Sequence, residues 1–144
     1  MNYQDYHNDS TNKLIHFICI PLIVLTSANF LSKSKIKILG TGLYGLSLLI
    51  LLLNYLINYG LVTFILMLSY YCIIDYYSEK WLKRNNWFIE SVIIFILSWI
   101  LQFIGHYIEG TRPALMDSIT TAITQAPLFS IMYFFELIMY LIIT

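Results

Sequence analysis

Charge is scarce in this sequence. Eight basic and eight acidic residues make up 11% of its 144 positions, against roughly 25% in a soluble globular domain. A water-soluble fold of this length is therefore a poor reading. The few Lys and Arg residues are not gathered with interleaved aromatics, so nothing resembles a nucleic-acid surface and nucleic acid is not an expected partner. Cysteine is limited to Cys19 and Cys72, both inside apolar runs where a thiol acts as a small hydrophobe. That argues against a disulfide framework, a thiolate metal cluster or a catalytic cysteine. The sequence has no nucleophile elbow, no HExxH helix and no Gly-rich nucleotide loop, and Gly40, Gly42 and Gly45 read as helix-packing residues. The N-terminal tail lacks a basic segment and a small-residue cleavage site, so the first apolar run reads as a retained span. Internal repeats and low-complexity linkers are missing as well.

What is abundant is apolar surface, at 59% of the residues. Runs long enough to cross a hydrocarbon core of about 30 Å, which takes about 20 helical residues, recur along the chain. Backbone groups cannot go unpaired in lipid, and the alternating polarity of a barrel strand is absent, so these runs should be helices. The expected fold is an all-α, polytopic transmembrane bundle forming a single integral membrane domain over 1–144. About five spans fit, near Leu14–Leu31, Ile36–Ile57, Leu61–Tyr77, Trp87–Tyr107 and Pro127–Ile143. Tyr76, Tyr77, Trp81 and Trp87 gather at span ends as aromatic rings do at headgroup level. Between the last two spans, Pro113–Gln125 sets Leu115, Ile119, Ala122 and Ile123 on one helical face and Asp117, Thr121 and Thr124 on another. That pattern predicts a short interfacial or re-entrant helix.

Lys33, Lys35 and Lys37 follow the first span, and Lys80, Lys83 and Arg84 follow the third. Both loops fall on one side, which the positive-inside rule makes cytoplasmic. The N-terminal tail and the loop after the fourth span then share the other side. This brings His7 and His16 to the same membrane face as His106, Glu109, Arg112 and Asp117, across about 90 residues of sequence. A single composite site explains that convergence.

Gln102, His106 and Glu109 lie at i, i+4 and i+7 and line one helix face. Such a face suits metal binding or proton transfer, although groups merely resting in the headgroup zone would look the same. His7 and His16 are nine residues apart, on opposite sides of an unbroken helix, so sharing one metal requires a break near Asn12 or a folded tail. Imidazoles with a carboxylate suit iron(II) and leave positions open for oxygen and substrate; zinc would accept the same donors. Haem is less suitable, since no facing mid-span histidine pair is visible. Asp75 reads as an interfacial acid able to pair with Lys80 or another loop cation. Glu136, roughly 13 Å along the last span from Pro127, needs a partner or a proton.

The segment Tyr3-Gln-Asp-Tyr-His7, continuing through Asn12 to Ile15-His16-Phe-Ile-Cys-Ile-Pro21-Leu22, resembles the N-terminal signature of the 2-hydroxy fatty acid dioxygenase family. A second segment, Gln102-Phe-Ile-Gly105-His106-Tyr-Ile-Glu109-Gly-Thr-Arg112-Pro113-Ala114-Leu115-Met-Asp117 followed by Gln125-Ala126-Pro127-Leu-Phe129, is similar to that family's second signature. The two bracket almost the whole chain. The resemblance implies an iron(II) enzyme of fatty acid α-oxidation, taking a long-chain 2-hydroxy acid and molecular oxygen to an acid one carbon shorter. It implies His7, His16 and His106 as iron-holding catalytic residues, with Glu109 as a further ligand or as an orienter of imidazole. Arg112 suits the substrate carboxylate by its chemistry, and Asn12 and Asp117 are placed with it on the substrate side. Two departures stand out: Cys19 occupies a position expected to be small, and Glu136 falls about one turn later than the family's acid, with Tyr133 at the expected spacing.

A non-enzymatic membrane transporter or assembly protein would account for the spans and Glu136 but not for the clustered histidines. A zinc-dependent membrane lipid hydrolase would account for the donors, and oxygen consumption separates it from the dioxygenase. Membrane lipid is an expected partner, and a eukaryotic member would be expected in the endoplasmic reticulum membrane. Chain-length preference and oligomeric state are not assigned by the sequence.

Overall fold

The computed structural model describes residues 7–34, 37–38 and 41–143. Residues 3–6 of the N-terminal motif, Lys35, Ile36 and Gly40 lie outside them. The fold is all-helical apart from one minimal strand pair. Helix α1 spans Ser10–Ser32, strands β1 (Lys37–Ile38) and β2 (Thr41–Gly42) pair antiparallel, and α2 spans Leu43–Trp81. Helix α3 (Trp87–Glu109), the single turn α4 (Ala114–Asp117) and α5 (Ile119–Ile143) complete the order.

Helix α1 begins four residues before the expected span because Asp9 caps it. Its Oδ1 accepts from the Thr11 N–H at 2.8 Å and the Asn12 N–H at 3.1 Å, satisfying donors that a helix start otherwise leaves open. His7 therefore lies before the helix, and the folded tail is the solution that brings it to His16.

A straight helix of the length of α2 would be about 58 Å long, nearly twice a hydrocarbon core of about 30 Å. It is not straight. Gly60, inside it, has φ 82° and ψ −179°, a region essentially restricted to glycine. Tyr55 then meets Tyr71, and Tyr44 comes within electrostatic reach of Asp75, residues that a straight helix would hold about 46 Å apart in the second pair. The two arms, 43–59 and 61–81, lie back to back as a helical hairpin and correspond to the expected second and third spans. With α1, α3 and α5 they give five apolar helical arms.

The end of the chain differs from the sequence reading. The separate helix before the last span is only the four residues of α4, whereas Ile119–Gln125 is continuous with the span itself. Ser118 is extended and its Oγ accepts from the Thr121 N–H at 3.1 Å, so the helix starts there. Pro127 lies inside α5 and does not break it.

Two compact units are distinguished, Met1–Ile23 with Ile96–Thr144, and Val24–Phe95. In the second, a buried polar relay joins three helices: Ser78 Oγ donates to Asn29 Oδ1 at 2.6 Å, and Asn29 Nδ2 donates to Ser91 Oγ at 2.9 Å. Polar side chains of this kind hold membrane helices together where lipid supplies no hydrophobic driving force. Phe30 adds edge contacts to Phe88 and Phe95, each at 6.0 Å. In the turn after α2, Glu90 accepts from Trp81 Nε1 and from Arg84, both at 2.8 Å. Asp75 is not paired with Lys80 as the sequence suggested; it faces Tyr44, and the Lys80 ammonium sits 4.2 Å over the Tyr76 ring.

Helices α1, α2, α3 and α5 are each long and apolar enough to cross a membrane. Their outer faces leave residues such as Ile57, Val62, Ile142 and Ile143 about three-quarters exposed. In water so much apolar surface would be a liability; in lipid it is solvated.

Candidate metal centre

Three imidazoles meet inside the first unit. His7 comes from the tail before α1, His16 from the second turn of α1 and His106 from the last turn of α3, and they are 1%, 1% and 3% exposed. Ring centroids are 4.2 Å apart for His7 and His16, 4.9 Å for His7 and His106, and 4.7 Å for His16 and His106. One ring nitrogen from each lies within 4.8 Å of the others. Ring nitrogens this close can converge their lone pairs on one cation.

The hydrogen bonds around the rings orient those lone pairs. His16 Nδ1 is 3.0 Å from the Asn12 carbonyl oxygen. A carbonyl only accepts, so Nδ1 carries the proton and Nε2 keeps its lone pair. His106 Nδ1 is 3.2 Å from Thr111 Oγ1, which engages the same nitrogen. Thr111 reaches it because α3 ends in a left-handed glycine. Gly110 has φ 73°, its N–H donates to the Tyr107 carbonyl at 3.2 Å, and the Thr111 N–H donates to the His106 carbonyl at 3.1 Å. This paired C-terminal closure swings Thr111 back over the ring. Phe129 covers His7 from α5, with centroids 4.9 Å apart.

Glu109 holds the tail down. Its Oε1 accepts from the Asn8 N–H and its Oε2 from Asn12 Nδ2, both at 2.5 Å. The group of candidate metal donors among the described residues comprises the three histidines, and the Glu109 carboxylate faces the tail and Asn12. Asn12 is fully buried and links three parts: its amide to Glu109, its carbonyl to His16, and its Oδ1 against α3 at Gly105. A Cβ at Gly105 would collide with that carboxamide, so glycine there lets α1 and α3 approach. Gln102, one turn before His106, is also buried, and its Nε2 has no hydrogen-bond partner among the described residues.

The family model for Mpo1-like proteins, described as 2-hydroxy-palmitic acid dioxygenase Mpo1-like, matches residues 1–139. The chain belongs to the Mpo1-like family. The 2-hydroxy-palmitic acid dioxygenase MPO1 of Saccharomyces cerevisiae is 32% identical to it over 131 residues, covering 88% of this chain and 72% of the yeast protein. No solved structure matches the chain.

In this Mpo1-like chain the donor set fits a metal ion: three buried imidazoles, two of them with Nδ1 engaged from behind, as metal-ligating histidines are. A cavity of about 300 Å³ opens beside His7, lined also by Asn8, Lys13, Phe129, Met132, Tyr133 and Glu136. That is the lower end of the volumes typical of small-molecule sites. Arg112 and Asp117 are exposed and do not line it, whereas Glu136 does. Lys13, Thr111 and Gly105 were given no site role by the sequence reading, although the last two lie within the second signature. For Thr111 a signal existed, since Glu-Gly-Thr at a helix end predicts the backward swing.

Proposed function

We propose that this chain is an iron(II)-dependent dioxygenase that shortens long-chain 2-hydroxy fatty acids by one carbon. Atom balance for such a step is a 2-hydroxy acid plus one molecule of oxygen giving the shorter acid, carbon dioxide and water. The observation that carries the reading is the convergence of His7, His16 and His106 in a buried cluster beside a cavity, in a chain whose yeast relative is named for this oxidation.

His7, His16 and His106 would hold the metal through one ring nitrogen each. Iron(II) supplies redox capacity and open coordination positions for oxygen and substrate. Zinc fits imidazole equally but lacks redox chemistry, and the dioxygenase kinship favours iron. Glu109 acts as a positioning residue, fastening the tail that carries His7, while the Asn12 carbonyl sets the proton position of His16 and Thr111 orients the His106 ring. Phe129 and the helices around the cluster exclude bulk water. The acyl tail runs out along apolar helix faces into lipid, so the substrate never leaves the membrane phase. Arg112, exposed at the mouth after α3, draws anionic headgroups toward the site. A eukaryotic chain of this kind belongs in the endoplasmic reticulum membrane.

The test is anaerobic iron loading of the detergent-purified protein, followed by oxygen and 2-hydroxy-palmitic acid, with product mass recorded. A fifteen-carbon acid formed with matching oxygen uptake is expected. Hydrolytic products without oxygen uptake, or no turnover by protein holding stoichiometric iron, would overturn the reading.

A further inference from the structure

The cavity beside His7 contains a cation that the sequence alone gave no reason to single out. Among the eight basic residues of the chain, Lys13 and Arg112 are the two that belong to the same unit as the histidines. Lys13 lines the cavity and Arg112 does not. Lys13 sits three residues before His16, on the same face of α1, and four before Phe17, whose ring meets Tyr133 at 5.5 Å. On the facing helix, Phe129, Met132, Tyr133 and Glu136 follow the i, i+3, i+4, i+7 rule and line the cavity from one stripe of α5.

Lys13 and Glu136 are the two residues of this lining that carry a formal charge. Lys13 is half-buried and takes part in no ion pair among the described residues; the one such pair is Arg84 with Glu90. Glu136 lies seven residues along from the Phe129 that covers His7, about 10 Å by helical rise. An ammonium one turn from a metal-binding histidine, in a cavity walled by apolar helices, calls for an anion to complete it.

Resting on the functional reading above, we infer that Lys13 is the substrate-binding residue that receives the carboxylate of the 2-hydroxy acid. Its charge would hold the head of the substrate against His7 and leave the acyl chain to pass Phe17 and Tyr133 toward lipid. A lysine here recognises the negative charge and not a planar fork, so an arginine of equal charge should serve in its place. Arg112 then acts upstream, gathering anions without discriminating between ligands inside the cavity.

The experiment measures equilibrium binding of 2-hydroxy-palmitic acid and of its methyl ester to the iron-loaded, detergent-purified protein without oxygen, so that no turnover intervenes. Wild type should prefer the acid by about tenfold or more, as expected when a charge-assisted bond is lost. Lys13→Met and Lys13→Gln should bind the acid about tenfold more weakly, bind the ester as wild type does and so lose the preference; Lys13→Arg should restore it. Arg112→Met should keep it. Equal binding of acid and ester by wild type, or an acid preference that survives in Lys13→Met or Lys13→Gln, would overturn the inference while leaving the dioxygenase reading in place. Binding of neither compound by wild type would overturn the functional reading and this inference with it. The wild-type comparison and two neutral variants keep the test decisive even where one substitution prevents folding.

Discussion

The Asn12 carbonyl can only accept a hydrogen bond, and that single constraint fixes which nitrogen of His16 is available to a metal. Thr111 engages His106 Nδ1 from behind through a hydroxyl, which can donate or accept. Replacing Thr111 with Val removes that partner and keeps the shape, so metal affinity should fall about 10- to 100-fold, the usual cost of losing such an outer contact. Competition with a calibrated chelator measures it; unchanged affinity would show that the ring needs no support. The three histidines, which the structure brings together, were legible as candidates from their motifs. Their mutual geometry was not, because nine residues separate His7 from His16 and only the capped, folded tail resolves that spacing. Glu109 was legible as a participant, yet its bonds to Asn8 and Asn12 depend on how the tail lies over α3, which no local pattern encodes. Lys13 was not singled out by the sequence, since one lysine at a span edge usually reaches for headgroups.

Helix limits follow from caps and breaks that hydropathy does not register. Asp9 and Ser118 start α1 and α5 earlier than the apolar runs do, and Gly60 divides α2 in two while hydrogen bonding barely lapses. The apolar runs themselves were readable, because five stretches of the right length for lipid have few other uses. The hairpin at Gly60 depends on a backbone conformation that costs a side chain of order 1–3 kcal/mol. Gly60→Ala should lower stability by that amount while the protein that remains folded keeps its iron, measured by thermal melting in detergent with metal analysis of the same sample. A melting point equal to wild type would mean the turn is formed without the glycine. The Asn29 relay was invisible in sequence for a related reason: one Asn and two Ser in apolar runs look like tolerated polar residues until Ser78 and Ser91 are seen to meet it.

Four helices long enough and apolar enough to cross a membrane present apolar faces for lipid to solvate, while the three histidines of the first unit are buried. The convergence of the tail with the end of α3 requires both to lie on one side of the membrane, which is what the charge bias of the loops indicated. After replacement of Cys19 and Cys72, single cysteines at Asn8 and Arg112 should be labelled from the same side in sealed vesicles; labelling from opposite sides would dismantle the composite site. Iron is expected to be held by His7, His16 and His106 together. X-ray absorption at the iron edge, recorded on anaerobically loaded protein, counts imidazole ligands directly. Wild type should show three, and His7→Ala, His16→Ala or His106→Ala should each show fewer, with iron occupancy falling sharply. Iron bound without imidazole scattering, or a histidine variant with full occupancy and an unchanged spectrum, would contradict the account.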